Sequence, residues 1–369
     1  MATDVSTGHV TTAGSVTTGH VTSADSVTET VKEYYGSVLS SSQDLKTSAC
    51  CTAEAPPPHI AEALTRVHDE VMDRFYGCGS PIPTALDGIT VLDLGCGSGR
   101  DAYVLSQLVG PAGRVIGVDM TEEQLAVARR HQDWHAERFG YANTEFHEGY
   151  IEDLAAAGIA DDSIDLVVSN CVLNLSPDKP RVFREIFRAL KPGGELYFSD
   201  VFADRRLPAA LMDDAELVGE CLAGALYTED FRRLMRTSGC ADARTVAAAP
   251  ITLSSPEIER KIGFATFTSR TVRAFNVPLE DRCEDYGQVA VYRGTLPEHP
   301  HAFDLDDHHR LHTGKPMLVC GNTADMLSLT RYAPHFTVTG DKATHFGLFP
   351  CAPADAAATS GTATPSGCC

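Results

Sequence analysis

The chain has 369 residues, enough for one large domain with additions or for two domains. Hydrophobic residues make up 43 % of it, which excludes global disorder, and no apolar run is long enough to span a bilayer. The formal net charge of −20 argues against a nucleic-acid partner, because a surface that follows phosphates needs a basic excess. We therefore expect a folded protein that binds neither nucleic acid nor membrane. We also expect it to be a monomer, although neither composition nor charge decides this.

The chain carries 12 cysteines, and their redox state depends on the compartment. The first basic residue is Lys32, and no apolar segment precedes it. A secretory signal would need a basic residue close to the start, followed by an apolar segment. The sequence therefore predicts a cytoplasmic protein with reduced thiols, which usually pack as small hydrophobic groups.

Both ends of the chain are predicted to be disordered. Residues 1–25 repeat Thr, Ser, Val and Gly and have too little apolar bulk to pack. Residues 352–369 are mostly small, and they finish in Cys368 and Cys369. A capping-box pattern at Ser26 and Glu29 predicts that ordered structure begins with a helix there.

The next elements follow from hydrophobic periodicity. A proline run at 56–58 opens a second helix that places four apolar residues on one face, namely Ile60, Leu64, Val67 and Val71. From residue 90 onward, strands alternate with helices. The predicted strands are 90–94, 114–119, 144–148, 164–170 and 195–201, and the predicted helices are 100–109, 121–139 and 178–189. This alternation predicts an α/β fold with a mostly parallel sheet and helices on both faces.

The later part of the chain has weaker patterns. Segments 269–275 and 288–293 have the pattern of a closing β-hairpin, and 297–350 is rich in His, Pro and Gly. His308 and His312 have the spacing of a metal pair on one face of a helix, although a solvated polar loop is the favoured interpretation.

A glycine-rich segment follows the first strand and precedes a helix, with glycines at Gly95, Gly97 and Gly99. Glycines let a ligand approach the backbone closely. Asp119 ends the next strand, where a carboxylate can accept hydrogen bonds from both hydroxyls of a ribose. A dinucleotide-binding loop needs another glycine where the chain has Arg100, so a nicotinamide cofactor is disfavoured, and a ligand-free turn is the other alternative.

This segment resembles the first motif of the class I S-adenosylmethionine methyltransferases, an acidic residue followed by three alternating glycines, which here begins at Asp93. The sequence Leu-Lys-Pro-Gly-Gly at 190–194, before the fifth strand, is a second feature of that class. The resemblance covers about residues 85–295. It implies a Rossmann-like sheet and S-adenosylmethionine as the cofactor, and it does not identify the substrate.

The candidate substrate residues are cysteines in unusual settings. Cys171 ends a strand beside the first one, where many nucleic-acid and protein methyltransferases carry an Asn/Asp-Pro-Pro-Tyr motif, and a soft sulfur there suggests a soft acceptor. Cys78 lies between two glycines, Cys221 follows the core of the sheet, and Cys50 lies in a small-residue loop. None has the C-x-x-C spacing of a zinc site. Taken singly, each thiol is better explained by packing.

Together, the segments around these thiols resemble the four cysteine blocks of the arsenite methyltransferases. Those segments are 44–50, 74–79, 169–175 and 219–227. Segments 93–101, 117–121 and 148–152 fit the same family, and the resemblance runs from about Val31 to Thr295. Thr228 departs from it, because many relatives carry an aromatic residue there, which puts the wall of the pocket in doubt but removes no thiol.

The resemblance implies methyl transfer from S-adenosylmethionine to trivalent arsenic, first in arsenite and then in methylarsonous acid. The implied catalytic thiols are Cys50, Cys78, Cys171 and Cys221, of which Cys78, Cys171 and Cys221 hold As(III). The implied cofactor residues are Tyr76, Asp93, Gly95, Gly97, Gly99, Asp119, Met120, Ile151, Glu152 and Asn170. The implied partners are arsenite or its glutathione adduct and a thiol reductant, thioredoxin or glutathione.

The same resemblance divides the chain. Residues 26–215 are expected to bind S-adenosylmethionine, 216–296 to form an arsenic-binding cap and the end of the sheet, and 297–351 to form a small C-terminal domain. Two other functions stay open at this point. One is methylation of another small thiol or carbon nucleophile, such as a sterol or quinone, and the other is non-catalytic sequestration of As(III) or a metal by the thiols.

Overall fold

A computed structural model describes Thr28, Val31, Lys32 and residues 55–75, 81–253 and 255–351. The predicted disordered ends lie outside the described residues. So do Cys50, Tyr76 and Cys78, which therefore stay as sequence predictions.

The main sheet has eight strands. They are β1 (Thr90–Leu94), β2 (Arg114–Asp119), β3 (Thr144–Glu148), β4 (Ile164–Asn170), β5 (Leu190–Ala203), β6 (Leu226–Tyr227), β7 (Arg244–Ile251) and β8 (Phe267–Phe275). The order is β3-β2-β1-β4-β5-β8-β7, with β6 beside the end of β5. Strands β1 to β5 are parallel, whereas β8 runs antiparallel to both β5 and β7. The predicted class I methyltransferase sheet is confirmed.

Ten helices accompany the strands within the described ranges. They are α1 (Pro58–Leu64), α2 (Asp69–Asp73), α3 (Arg100–Val109), α4 (Glu122–Arg130), α5 (Gln132–Phe139), α6 (Lys179–Ala189), α7 (Ala215–Gly219), α8 (Thr228–Thr237), α9 (Pro256–Ile262) and α10 (Gly321–Ser328). Two predicted helices are each split. His68 ends the turn after α1 and caps α2 by accepting a hydrogen bond from the Glu70 amide, and His131 separates α4 from α5. The helical spacing of apolar residues continues through such breaks, because the helices before and after each break bury the same apolar face.

The C-terminal part forms smaller sheets of its own. Its strands are β9 (Glu284–Asp285), β10 (Gln288–Tyr292), β11 (Ala302–Asp304), β12 (Arg310–His312), β13 (Met317–Val319), β14 (Phe336–Thr339) and β15 (Gly347–Leu348). Strands β13, β10 and β14 make one sheet, and β11–β12 and β15–β9 make two-stranded pairs.

One prediction for this part is wrong. Segments 269–275 and 288–293 do not form a hairpin, because the first belongs to β8 in the main sheet and the second to β10 in the separate sheet. Alternation of apolar residues identifies a strand and says nothing about its partner. The helical pair of histidines, which the sequence disfavoured, does not form, since His308 lies in the turn between β11 and β12 and His312 ends β12.

Buried ion pairs join the C-terminal part to the main sheet. Glu195 on β5 binds Arg273 on β8 at 2.7 Å and Arg331 of the C-terminal part at 2.5 Å. Arg244 on β7 binds Asp306 at 3.0 Å. These buried ion pairs hold the C-terminal part against the β7–β8 edge, since removal of one partner would leave an uncompensated buried charge. Among the described residues, no helix has the length and apolarity needed to cross a membrane.

Candidate active site

A cleft opens at the carboxyl ends of β1, β2 and β4, where ligands bind in open α/β sheets. Its volume is about 1010 Å³ with the open mouth included. The predicted cofactor residues that line it are Asp93, Gly95, Gly97, Asp119, Met120, Ile151, Glu152 and Asn170. Cys171 lines the same cleft, so the predicted cofactor and substrate residues meet in one cavity.

Asp119 is held in place by backbone amides on two sides. Its Oδ2 accepts a hydrogen bond from the Gly97 amide at 2.9 Å, and its Oδ1 accepts one from the Thr121 amide at 2.8 Å. Burial raises the pKa of Asp119, while these amide hydrogen bonds act in the opposite direction. The carboxylate is therefore fixed at the end of β2 with lone pairs left to accept hydrogen bonds from a ribose.

The glycines of the turn have different roles. A side chain at Gly95 would collide with Val172 at 2.4 Å, whereas at Gly97, whose φ is +52°, it would meet nothing within 4 Å. Gly97 thus leaves backbone open to the cleft. Gly99 does not line the cleft, although it was predicted among the cofactor residues. It starts α3 with a φ of +89°, and a side chain there would press on Phe146 and Ala128.

Asp93 supplies a test of whether the cleft fits S-adenosylmethionine. Its Oδ2 is buried and has no hydrogen-bond partner among the described residues. Burial, with Asp101 and Asp119 nearby, raises the pKa of Asp93 well above its usual range. A cationic ligand would relieve this arrangement of acids, and S-adenosylmethionine carries both an ammonium and a sulfonium charge. The orphan oxygen and the open backbone at Gly97 therefore fit that cofactor.

We predict that Asp119→Ala weakens S-adenosylmethionine binding about 10- to 100-fold, because two hydrogen bonds to the ribose, worth roughly 1–3 kcal/mol together, are lost. Isothermal titration calorimetry measures this directly. Glu122→Ala is the control, because Glu122 binds Arg129 on the surface and does not line the cleft. Unchanged affinity of the Asp119 variant would contradict the assigned role.

The substrate side of the cleft contains two cysteines with strained backbones. Cys171 and Cys221 are both buried, and both have positive φ, +57° and +59°. Non-glycine residues adopt this region at a cost and do so most often at functional sites. The Cys221 thiol donates to the Cys171 carbonyl at 3.3 Å. Cys171 follows β4, Cys221 follows α7, and the strain brings their side chains together although the residues are 50 apart.

Asp200 on β5 is the third member of this cluster. One carboxylate oxygen of Asp200 and the sulfurs of Cys171 and Cys221 all lie within 4.8 Å of one another. Asn174 orients the carboxylate, since its side-chain amide donates at 2.7 Å and its backbone amide at 3.1 Å. Burial raises the pKa of Asp200 to about 7.

Lys179, at the start of α6, carries a positive charge that acts on Asp200 and Cys221 in this cluster. Its ammonium donates to the backbone carbonyls of Asn174 and Ser176. Burial lowers the pKa of Lys179 to about 8, against the attraction of Asp200 and Cys221. A side chain at Gly224 would lie 2.1 Å from the Asn174 carbonyl, so only glycine lets the Cys221 loop pack this closely.

The sequence analysis missed these supporting residues. Asp200, Asn174 and Lys179 have no motif of their own, and only the fold brings them beside the thiols. The end of β5 could have been inspected for Asp200, since parallel strands present their carboxyl ends to the same edge. Met120, Ile151 and Glu152, by contrast, were predicted from the resemblance and do line the cleft.

Comparison with known proteins bears on the substrate. The chain matches a methyltransferase domain family over residues 85–239 and the arsenite methyltransferase C-terminal domain family over residues 286–362. An arsenite methyltransferase of Aquipseudomonas alcaligenes is 58 % identical over 322 residues, which cover 87 % of this chain and 93 % of that protein. The chain belongs to the arsenite methyltransferase family.

Two further relatives agree with this membership. The human arsenite methyltransferase is 45 % identical over 314 residues, which cover 84 % of this chain and 82 % of that protein. The crystal structure of an arsenic(III) S-adenosylmethionine methyltransferase from Chlamydomonas reinhardtii superposes with a TM-score of 0.77 at 55 % identity, covering 80 % of this chain and all of that one. The protein is therefore a methyltransferase with S-adenosylmethionine as its methyl donor, and neither alternative function is favoured.

Proposed function

We propose that Cys171 and Cys221 hold the arsenic atom of arsenite as thiolates while its lone pair receives the methyl group of S-adenosylmethionine. The protein methylates arsenite, as its family membership establishes, and the proposal concerns which groups do so. The observation that carries it is the convergence of both sulfurs and one Asp200 oxygen within 4.8 Å, beside a cleft that fits the cofactor.

The chemistry of trivalent arsenic suits this pair. Arsenous acid is neutral, and its hydroxyls exchange for thiolates, so each As–O bond is replaced by an As–S bond and the hydroxyl leaves as water. The pyramidal arsenic keeps its lone pair. When bound, S-adenosylmethionine supplies an electrophilic methyl group on a sulfonium. No proton has to leave the arsenic during that transfer, so the contribution of the two cysteines is to position the lone pair.

The exchange step does move protons, and Asp200 is placed to accept them. Each neutral thiol must lose its proton to become a thiolate ligand. Asp200 has a pKa of about 7, so near neutral pH both of its protonation states are populated. The proton taken from Cys221 can then be handed to the hydroxyl that leaves. Lys179 stabilises the ionised carboxylate.

A thiol reductant, thioredoxin or glutathione, is part of the proposal. Cys171 is disulfide-bonded in the structure, and a disulfide sulfur does not bind As(III). Reduction must therefore precede substrate binding. Methyl transfer to the lone pair leaves arsenic formally pentavalent, so the thiol reductant must also supply the two electrons that return it to As(III). We also propose that the resulting methylarsonous acid is the second substrate, that arsenite can arrive as its glutathione adduct, and that the protein works as a cytoplasmic monomer.

The test is methyl transfer from S-adenosylmethionine with an isotopically labelled methyl group to arsenite, with thioredoxin or glutathione as the reductant. The expected result is labelled methylated arsenic, separated by chromatography and detected by mass spectrometry. Binding of arsenite without label transfer would leave only a sequestering function, and transfer to quinones or thiols alone would indicate another methyltransferase activity.

A further inference from the structure

Arg74 lies on the wall of the cleft, directly after the last residue of α2. The other charged residues that line the cleft are all acids, namely Asp93, Asp101, Asp119 and Glu152. Among the residues that the structure describes, Arg74 is therefore the one base on an acidic wall. It is exposed, and it forms no ion pair with another described residue.

Two contacts hold the backbone of Arg74 beside the glycine-rich turn. Within that turn, the Ser98 hydroxyl donates to the Val71 carbonyl at 2.9 Å and lies 3.4 Å from the Arg74 carbonyl. Ser98 is only 2 % exposed, so this bond joins the turn to the end of α2 inside the protein. The ring of Phe75, the next residue, lies under the Arg100 guanidinium. Arg74 therefore has a fixed backbone and a side chain that is available to a ligand.

The other arginines near the turn are already paired. Arg100 binds Asp101 at 2.7 Å, and 13 % of its side chain is exposed. Arg129, whose charge reaches the turn, binds Glu122 at 2.9 Å. Neither arginine lines the cleft. Arg74 is thus the arginine that can offer its guanidinium to an anion in the cleft, and a guanidinium binds a carboxylate through two parallel hydrogen bonds.

We infer that Arg74 binds the carboxylate of the methionine portion of S-adenosylmethionine. The cofactor carries an ammonium, a sulfonium and one carboxylate, so two of its charges suit the acids of the cleft and the third does not. Beside those acids alone the carboxylate would be repelled, because like charges placed together weaken binding. The inference goes beyond the proposed function and needs no arsenic, so it can fail while the cysteine pair stands.

The contact would make Arg74 a specificity-determining residue for the methyl donor. The ammonium and the carboxylate of S-adenosylmethionine are attached to the same carbon atom. Asp93, with a buried oxygen that has no partner among the described residues, lines the same cleft as Arg74. The two residues can therefore hold the two charges of one amino-acid group. A sulfonium nucleoside without the carboxylate would keep the contacts with the acids and lose the contact with Arg74.

The test is isothermal titration calorimetry of the full-length protein with S-adenosylmethionine and with its decarboxylated form, which lacks only the carboxylate. The wild type should bind the decarboxylated form about 10-fold more weakly, as expected for one lost hydrogen-bonded contact between charged groups. Arg74→Gln should bind S-adenosylmethionine about 10-fold more weakly than the wild type does. It should bind the decarboxylated form at least as tightly, because that ligand carries only positive charges. Arg74→Lys should recover part of the lost affinity, since it keeps the charge without the paired hydrogen bonds.

Arg66→Gln is the matched control. Arg66 precedes α2, donates to the Arg138 carbonyl at 3.3 Å and does not line the cleft, so its replacement should leave both affinities unchanged. The inference is overturned if Arg74→Gln binds S-adenosylmethionine as tightly as the wild type. It is also overturned if Arg74→Gln weakens both ligands equally, because Arg74 would then shape the wall of the cleft without binding the carboxylate.

Methylation kinetics give a second readout. At saturating arsenite, Arg74→Gln should raise the KM for S-adenosylmethionine about 10-fold and leave kcat nearly unchanged, as expected when a contact made equally in the bound cofactor and in the transition state is removed. A fall in kcat at an unchanged KM would overturn the inference, since the side chain would then act on the reacting atoms and not on the carboxylate.

Discussion

Replacement of Cys171 or Cys221 by serine is expected to abolish methylation of both arsenite and methylarsonous acid. A hydroxyl is a hard, protonated and poor ligand for As(III), so the arsenic lone pair is no longer held toward the methyl group. Loss of positioning on this scale lowers the rate at least roughly 100-fold. The measurement is product speciation for each variant with each substrate, on protein shown by circular dichroism to be folded.

The two cysteines outside the described residues are expected to behave differently. Arsenous acid has three exchangeable positions, whereas methylarsonous acid has only two, because one bond is already to carbon. The Cys171–Cys221 pair alone can therefore replace both exchangeable hydroxyls of methylarsonous acid. Cys50→Ser or Cys78→Ser should therefore stop methylation of arsenite and spare that of methylarsonous acid.

Cys240→Ser serves as the control, since Cys240 is buried far along the chain from either thiol and packs in the core with Leu196 and Met235. It should retain both methylations. If all four single variants lost both steps equally, a single site that uses every thiol throughout would replace the pair model. If Cys221→Ser kept full activity, the proposal that Cys171 and Cys221 together bind arsenic would be wrong.

Most of the predicted cofactor residues line one cleft because the sequence signals behind them are local. The glycines at 95–99 and Asp119 belong to one strand–turn–helix unit and the strand that follows, and their spacing alone restricts the ligand. The structure places Asp119 2.9 Å from the Gly97 amide, and its role toward a ribose stays a prediction. The bounds of the first four strands were also predicted correctly, whereas β5 covers Leu190–Ala203 instead of the predicted 195–201.

The substrate side and the C-terminal part depended on contacts that no local pattern records. Cys171 and Cys221 were found through a resemblance, while Asp200 became visible only when β5 placed it beside them. The domain divisions near 215 and 296 stay predictions, although β9 and β10, which precede residue 297, pair with strands beyond it.

Asp200→Asn should separate proton transfer from arsenic binding. The amide keeps nearly the size of the carboxylate but cannot take the proton of the Cys221 thiol. We expect the kcat/KM for arsenite to fall about 100-fold at pH 8, in the range typical of a lost proton acceptor. In the wild type, kcat/KM should rise as the pH passes through about 7, where Asp200 ionises, and the variant should lack that rise.

Protein stability gives an independent check on the ionisation of Asp200. Its pKa is raised from 3.8 to about 7 on folding, so between these values the folded state keeps a proton that the unfolded state has released. The free energy of unfolding contributed by this group therefore falls as the pH rises, by about 1.4 kcal/mol per pH unit from about pH 4 to pH 7. Asp200→Asn should lack this slope, as measured by urea denaturation across that range.

Asp204→Asn is the matched control, because Asp204 follows the same strand but is exposed and paired with Arg205. It should leave both the pH profile of methylation and the stability slope above pH 4 as in the wild type, since its carboxylate pKa is lowered rather than raised. An Asp200→Asn enzyme that kept the rise near pH 7 would show that another group accepts the thiol proton. Loss of the stability slope with full activity would leave Asp200 a buried structural acid beside the arsenic and nothing more.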